Sequence, residues 1–205
     1  MPTLLLIRHG DNDYLAKNRL PGHIPGIHLN KRGNEQAALL AQSLSKLPIK
    51  AIYCSPLERA IETAQPLAQS LGIEIQIRPD LTDGDVGDWE GRYWKVLRRN
   101  KLWKIIQQNP SQFQFPGGET FVQIQGRVVT TLDAIVSTHV KDETIAVVFH
   151  ADPIKLAVAH YLGLPLDNFQ RLTINAGSIT ILSIHDASSQ LLAMNLMPPL
   201  PQPKK

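Results

Sequence analysis

Short apolar runs alternate along the chain with stretches whose apolar positions recur at helical spacing, a pattern that predicts one sheet covered by helices. Thr3 to Ile7 reads as a strand buried on both faces, and it stops at Arg8-His9-Gly10. Residues 11 to 33 are rich in Asn, Gly, Pro and His and are expected to form a long loop, of a length that usually carries function. Asn34 to Leu47 is helical by period, with Ala37, Leu40, Ala41, Leu44 and Leu47 on one face. Ala51 to Cys54 follows as a second short strand. Ser55-Pro56-Leu57-Glu58 has the form of a capping box with proline at the first helical position. It opens a helix through Leu71 that Pro66 is expected to kink. Ile73 to Ile77 then alternates like a third strand.

The middle of the chain is less regular. Residues 80 to 91 form a loop around Val86 and Trp89, Arg92 to Gln107 a helical excursion, and Pro110 to Gly118 a turn-rich connection. Glu119 to Val136 predicts a long helix presenting Phe121, Ile124, Val128, Leu132 and Ile135. Gly126 inside it costs about 1 kcal/mol relative to Ala and is expected to mark close packing. Thr144 to Phe149 is a β-branched strand ending at His150. Asp152 reads as an N-cap with Pro153 in the first turn of a helix that runs to Leu162 and stops at Gly163. Ser178 to Ile184 and Gln190 to Leu196 read as a hairpin around residues 186 to 189, and the Pro-rich residues 198 to 205 as a mobile tail. The whole predicts a single domain over residues 1 to 197, an α/β three-layer α/β/α sandwich with a mainly parallel central sheet. Ligand sites in such sheets lie beyond the carboxyl ends of the strands, where His9, Arg59 and His150 all fall.

Composition narrows the class. With 205 residues, 43% hydrophobic and 19% charged, the chain suits one substantial core and not a disordered chain, a rod or a small disulfide scaffold. The Leu4 to Ile7 run meets Arg8 at once, which predicts neither a membrane span nor a secretory signal. A lone cysteine, Cys54, cannot form an intrachain disulfide and suits a reducing, cytoplasmic setting. The net charge of +3 is compatible with an anionic ligand. The densest basic run, Arg98-Arg99-Asn100-Lys101, falls short of a nucleic-acid surface, so neither nucleic acid nor membrane is expected as a partner.

The chemistry concentrates at few positions. A histidine near neutrality, such as His9, serves as nucleophile when an acceptor holds its other nitrogen. Arg8 beside it offers planar donors suited to a phosphoryl group, and Gly10 permits close backbone approach. Arg59 lies near a helix start, which favours anions, and His150 ends a late strand. Each has a plain reading as well: a packed loop histidine, a surface arginine pairing with Glu58 or Glu62, a buried histidine with satisfied hydrogen bonds. Metal-ligand spacing is absent, because His23 and His28 lie in a Gly/Pro loop without a matching cysteine pair. No metal and no cofactor is expected.

Taken in order, the motifs resemble the histidine phosphatase superfamily, also called phosphoglycerate mutase-like, from Thr3 to about Ile184. The resemblance rests on Leu6-Ile7-Arg8-His9-Gly10, on Pro21-Gly22 through Leu29-Asn30-Lys31-Arg32-Gly33, and on Cys54-Ser55-Pro56-Leu57-Glu58-Arg59-Ala60 with Thr63-Ala64. It continues through Leu81-Thr82-Asp83, Gly87-Asp88-Trp89-Glu90-Gly91, Pro116-Gly117-Gly118-Glu119-Thr120 and Val148-Phe149-His150. It implies a phosphoglycerate mutase-like fold in which His9 becomes phosphorylated and Arg8, Arg59 and His150 surround the phosphoryl oxygens. Asn12 and Arg19 match positions that relatives use toward substrate. Asp83 stands where many relatives carry the glutamate that protonates the leaving oxygen, with Asp85 as its substitute. Ala151 replaces the glycine many relatives place after the second histidine, and Asp152 either caps the helix or borders the pocket. Trp89 is expected to anchor its loop, while Tyr14, Trp94, Phe113 and Phe115 either line a leaving-group pocket or pack. The implied activity is a metal-independent phosphomonoesterase acting on a small soluble phosphorylated metabolite through a phosphohistidine. A cofactor-dependent phosphoglycerate mutase and a non-catalytic phosphate-binding protein are the alternatives, and a homodimer is left open.

Overall fold

The computed structural model describes residues 2–184 and 189–199. Six strands form one sheet: β1 (Thr3–Arg8), β2 (Ile49–Cys54), β3 (Ile75–Ile77), β4 (Thr144–Phe149), β5 (Ile179–Ser183) and β6 (Gln190–Leu196). Their order is β3-β2-β4-β1-β5-β6. β3, β2, β4 and β1 are mutually parallel, whereas β5 runs antiparallel to β1 and β6 antiparallel to β5. The turn expected between the last two strands falls largely on residues 185–188, which with the tail beyond residue 199 lie outside the described residues.

Side-chain alternation along β1 explains the layering. Leu4 and Leu6 belong to one core, packed with Val128, Leu132 and Ile135 of α6 (Phe121–Ser137) and with Ile154 and Val158 of α7 (Ala151–Tyr161). Leu5 and Ile7 belong to the other, with Leu40 and Leu44 of α2 (Lys31–Leu44) and Ala64 and Leu67 of α3 (Glu58–Leu71). A strand covered on both sides has no polar positions to alternate with, which is why β1 reads as a continuous apolar run. The result is the expected three-layer sandwich with a mainly parallel sheet.

Several boundaries depart from the expectations, each for a local reason. The 11–33 segment contains a one-turn helix, α1 (Asp13–Ala16), and α2 begins at Lys31, because Asn30 caps it by accepting the Gly33 amide at 2.9 Å. The helix also stops at Leu44, leaving Leu47 outside the stripe and 40% exposed. The helical excursion after Arg92 splits into α4 (Trp94–Leu97) and α5 (Trp103–Gln108). α6 starts at Phe121 behind a capping box in which Thr120 and Gln123 bond reciprocally. The close packing expected of Gly126 is not there: a methyl group at that position would touch nothing within 4 Å. Pro66 lies inside α3, whose helical span is continuous across it.

Two expected caps are not caps. Leu57, not Ser55, is the N-cap residue of α3 and makes no side-chain cap bond. The Ser55 oxygen lies 2.8 Å from Nε2 of His150 instead. Asp152 does not cap α7 either. The turn out of β4 is so short that His150 itself occupies the cap position, and Asp152 sits inside the first turn, paired with Lys155 at 3.1 Å. Among the described residues, no helix is long and apolar enough to cross a membrane.

Candidate active site

Strand register brings the distant motifs together. β1 and β4 pair in register to their last residues, Arg8 opposite Phe149, so His9 and His150 leave the sheet side by side. Cys54 stands opposite Val148 on the other flank of β4, which delivers Ser55 to the same edge. Backbone bonds extend the pairing: the His9 amide donates to the Phe149 carbonyl at 3.0 Å and the Ser55 amide to that of Val148 at 2.9 Å. The two imidazole rings end with centroids 5.1 Å apart, tilted by 57°.

The loop carrying His9 is fixed to its neighbours. The Gly10 amide donates to the Thr63 hydroxyl at 2.9 Å, and that hydroxyl donates to the Arg59 carbonyl at 2.6 Å, tying the loop to α3. A Cβ at Gly10 would lie 2.7 Å from the Gly33 carbonyl oxygen, so only glycine lets the loop pass α2.

Hydrogen bonding sets the state of both imidazoles. His9 Nδ1 lies 2.8 Å from the Gly10 carbonyl, which can only accept. Nδ1 therefore carries the proton and Nε2 holds the lone pair, with no hydrogen bond from any described residue. Burial, reinforced by the nearby Arg59 and Arg8 cations, holds the His9 pKa well below the usual histidine range. His150 is lowered too, by burial first and then by Arg59, His9 and Arg8. The Ser55 oxygen accepts the Leu57 amide at 3.3 Å, and its hydroxyl is assigned as the donor to His150 Nε2 at 2.8 Å. That assignment puts the His150 proton on Nδ1.

Donors converge around this pair. Arg59 is fully buried, and its Nη2 donates to the Gly22 carbonyl at 2.9 Å and to Asp83 Oδ2 at 3.3 Å. Arg8 Nη1 donates to the Ile174 carbonyl at 2.7 Å. Asn12 uses its side-chain oxygen to cap α1 through the Leu15 amide at 3.0 Å. After these bonds, Arg59 Nε and Nη1, Arg8 Nε, Asn12 Nδ2 and His150 Nδ1 are buried with no hydrogen-bond acceptor on the protein. Leaving a buried donor unpaired costs about 1–3 kcal/mol, so five of them suit a site built for an oxygen-rich anion.

Asp83 faces the same point. Its Oδ2 lies 3.6 Å from His150 Nδ1, and its Oδ1 accepts the Gly84 amide at 3.0 Å. Burial raises the Asp83 pKa; the Arg59 cation opposes this and the Asp152 carboxylate adds to it. Asp85 is differently employed, with Oδ1 accepting the Gly87 amide at 2.9 Å. Arg19 Nε donates to the Gly91 carbonyl at 2.7 Å and its guanidinium lies over the Tyr14 ring at 4.6 Å.

Some contributors have no signal in the chain. Arg127 of α6 donates to the carbonyls of Asp80, Thr82 and Asp83 at 2.7, 2.9 and 2.6 Å and bonds both Glu119 oxygens, at 2.8 and 2.9 Å. It clamps the loop that carries Asp83. His23 braces the same loop, its Nε2 lying 2.6 Å from the Asp83 carbonyl. His23, Asp85 and Glu90 also bring ligand-type atoms within 4.8 Å of one another. His23 and His28 do not converge, because His28 pairs with Glu62 at 2.5 Å.

A cavity of about 430 Å³ opens beside the cluster and shares Gly22 and Asp83 with it. Trp89, Trp94, Trp103 and Phe115 line it, together with Asp152 and Lys155. Trp89 is 4% exposed and packs against Phe113, Phe115 and Trp103, so it anchors the loop and walls the cavity at once. Tyr14 lies elsewhere, beside Lys17 and His28.

Two neighbouring histidines, the buried Arg59, Arg8 beside them and a carboxyl of raised pKa, on a mainly parallel three-layer sandwich, form a site suited to a phosphorylated substrate. Residues 4–197 match the model of the histidine phosphatase superfamily (branch 1), and the chain belongs to that family. It is a hydrolase of the histidine phosphatase type. It is 28% identical over 198 residues to phosphoserine phosphatase 1 of Hydrogenobacter thermophilus, covering 96% of this chain and 93% of that one. Identity is 31% over 189 residues to the metal-independent phosphoserine phosphatase of Arabidopsis thaliana, covering 89% and 76%. Among solved structures, a mycobacterial glucosyl-3-phosphoglycerate phosphatase complexed with VO3 superimposes with a TM-score of 0.86 at 25% identity, over 94% of this chain and 98% of that one.

Proposed function

We propose that this protein hydrolyses phosphomonoesters of a small soluble metabolite through a phosphohistidine at His9. The observation that carries this reading is a set of five buried, acceptor-free donors on Arg8, Asn12, Arg59 and His150, together with the unprotonated Nε2 of His9. In the first step the Nε2 lone pair attacks phosphorus and the ester P–O bond breaks. Asp83 passes its proton to the departing alkoxide oxygen. Arg8, Arg59, Asn12 and the Nδ1–H of His150 donate to the equatorial oxygens, where negative charge is spread. In the second step water attacks phosphorus, the Asp83 carboxylate takes a proton from that water, and the P–N bond breaks. His9 recovers its lone pair and inorganic phosphate leaves. The relatives' names support this reading, since phosphoserine and glucosyl-3-phosphoglycerate share a phosphomonoester and differ in the alcohol.

Rapid quenching with a ³²P-labelled phosphomonoester tests the proposal. Label should appear on wild-type protein at His9 and be absent from His9→Ala, whose turnover should fall by about 10⁴ or more, as for removal of other nucleophiles. A second arm supplies 3-phosphoglycerate with its bisphosphate primer. Phosphoryl return to glycerate faster than release of inorganic phosphate would establish a mutase instead, and binding of phosphate without turnover of any ester would establish a non-catalytic binder.

A further inference from the structure

The cavity beside Asp83 carries chemistry of its own, beyond phosphate recognition. It is walled by aromatic rings from separate elements, and those rings hold one another. Trp94 and Trp103 meet edge to face with centroids 5.9 Å apart, and Trp103 stacks on Trp89 at 6.5 Å with 23° between the planes. Phe115 meets Trp89 edge to face at 5.7 Å. Trp89 and Phe115 are buried in the core, whereas Trp94 and Trp103, on the short helices α4 and α5, are only partly covered. The wall is therefore preformed and half-finished, with ring surface turned to the cavity.

The polar groups around it are mostly spoken for. Gln107 and Gln170 hydrogen-bond to each other at 2.7 Å, and Lys155 is held by Asp152 at 3.1 Å. Asp83 and Asp152 are both acidic and both line the cavity, next to the point where the ester oxygen must leave. Arg98 and Lys155 line it too, Lys155 being paired with Asp152, so its charges largely offset one another and the ring wall is its distinguishing surface; a small polar alcohol would leave that wall wet. At about 430 Å³ the cavity is within the range of sites for compact organic ligands.

We propose that the preferred substrate of this site is a phosphomonoester whose alcohol carries an aromatic ring system, seated against Trp94 and Trp103. This deepens the phosphomonoesterase reading and rests on it. Ring stacking and apolar burial then select the alcohol, while the arginine and histidine donors select the phosphate.

The test compares primary-alkyl phosphates of matched leaving-group chemistry: ethyl phosphate, 2-phenylethyl phosphate and 2-(1-naphthyl)ethyl phosphate, with phosphoserine as the charged comparison. The naphthyl ester should exceed ethyl phosphate and phosphoserine at least tenfold in kcat/KM, mainly through KM. Trp94→Leu and Trp103→Leu should cut the naphthyl-to-ethyl ratio about three- to tenfold, and Trp94→Phe should restore most of it. A higher kcat/KM for phosphoserine, or a ratio unchanged in both leucine variants, overturns the proposal. The matching phosphonates, which cannot be hydrolysed, give a readout independent of turnover. Calorimetric affinity should rise from ethylphosphonate to 2-(1-naphthyl)ethylphosphonate, and equal affinities overturn the aromatic assignment. Loss of turnover on every ester would instead overturn the phosphomonoesterase reading, while the phosphonate affinities still decide the aromatic one.

Discussion

Replacing Asp83 by asparagine isolates the proton-transfer step. The change keeps size and shape but removes the acid, and each of its two contacts bears on the outcome. One oxygen accepts the Gly84 amide at 3.0 Å and the other faces Arg59 Nη2 at 3.3 Å. An amide has one oxygen, so a donor must be turned toward either Gly84 or Arg59, at a cost of about 1–3 kcal/mol in stability. Phosphate affinity should not weaken, because a negative charge has left the neighbourhood of an anion. The chemical step should lose what general acid catalysis contributes, about 10²- to 10⁴-fold in kcat for an alkyl phosphate. At 1.36 kcal/mol per tenfold, that is about 3–5 kcal/mol on the barrier. An ester whose alcohol leaves readily as an anion needs no proton, so p-nitrophenyl phosphate should lose less than about tenfold.

The assay is therefore a ratio: kcat of wild type over Asp83→Asn, measured on an alkyl phosphate and on p-nitrophenyl phosphate. The pH profile supplies a second handle. With the Asp83 pKa raised by burial, alkyl phosphate hydrolysis should fall as pH rises through that value, and the limb should vanish in Asp83→Asn. The His9 pKa is lowered, so the opposite limb, where rising acidity protonates the nucleophile, should appear only well below the usual histidine range. Asp85→Asn is the control, because its side-chain oxygen is engaged with the Gly87 amide, and it should stay within about threefold of wild type. Equal losses on both esters in Asp83→Asn, or the same loss from Asp85→Asn, would refute the assignment of the acid.

Three further outcomes follow from the packing and charges. Arg127→Met removes the clamp on three carbonyls of the acid's loop and leaves Glu119 partly buried without its cation. Denaturant unfolding should show a loss of about 2–4 kcal/mol, and kcat on alkyl esters should fall further than on p-nitrophenyl phosphate; a change under about 0.5 kcal/mol would contradict the clamp. His9 and His150 have pKa values below their unfolded value of 6.5, so their stabilising contribution is present above that pH and is lost as pH falls toward the folded values. The slope is about 1.4 kcal/mol per pH unit for each, partly offset where Asp83, with its raised pKa, takes up a proton in the folded state; unfolding measured across pH should show a shallower slope in His9→Ala. Gly126→Ala should stabilise by about 0.5–1 kcal/mol, read as a higher denaturation midpoint at constant slope, because the added methyl meets nothing and the helix gains propensity.

What the chain discloses depends on whether a residue's role is local. The span of β4 is readable to the residue, because a β-branched and apolar run from Thr144 to Phe149 ends abruptly at His150. The parallel arrangement follows from helices between strands, and with it the meeting of His9 and His150 at one edge. Roles set by tertiary partners are not readable. Ser55 has the sequence of a cap, but its oxygen is taken by a histidine from another strand. Asp152 precedes a proline as many caps do, but the turn out of β4 is two residues shorter than that reading requires. The clamp of Arg127 on the Asp83 loop joins residues on separate elements, and no periodicity marks it. The aromatic wall is drawn from α4, α5 and the neighbouring turns, whose mutual placement depends on packing. Arg19, which resembles a substrate-contacting position, donates to the Gly91 carbonyl and lies over the Tyr14 ring, contacts the sequence does not disclose.

In the proposed reaction, electrostatics joins His9 and Asp83 into one device. Burial penalises every charge in the pocket, and it therefore moves imidazoles and carboxyls in opposite directions. The same burial that lowers the His9 pKa, favouring the neutral imidazole that the proposed attack needs, raises that of Asp83, favouring the protonated form that the proposed acid step needs. The two arginines resist this by staying charged, and Asp83 is the carboxylate that partly balances Arg59 while the pocket awaits its anion. An incoming phosphoryl dianion takes over that balancing role for both Arg8 and Arg59. Asp83 is then left beside a second negative charge and without its claim on Arg59, and both changes favour its protonated form. In the proposed reaction, binding would thus favour on Asp83 the proton that the leaving oxygen needs, and departure of the alcohol with that proton would leave a carboxylate able to deprotonate water.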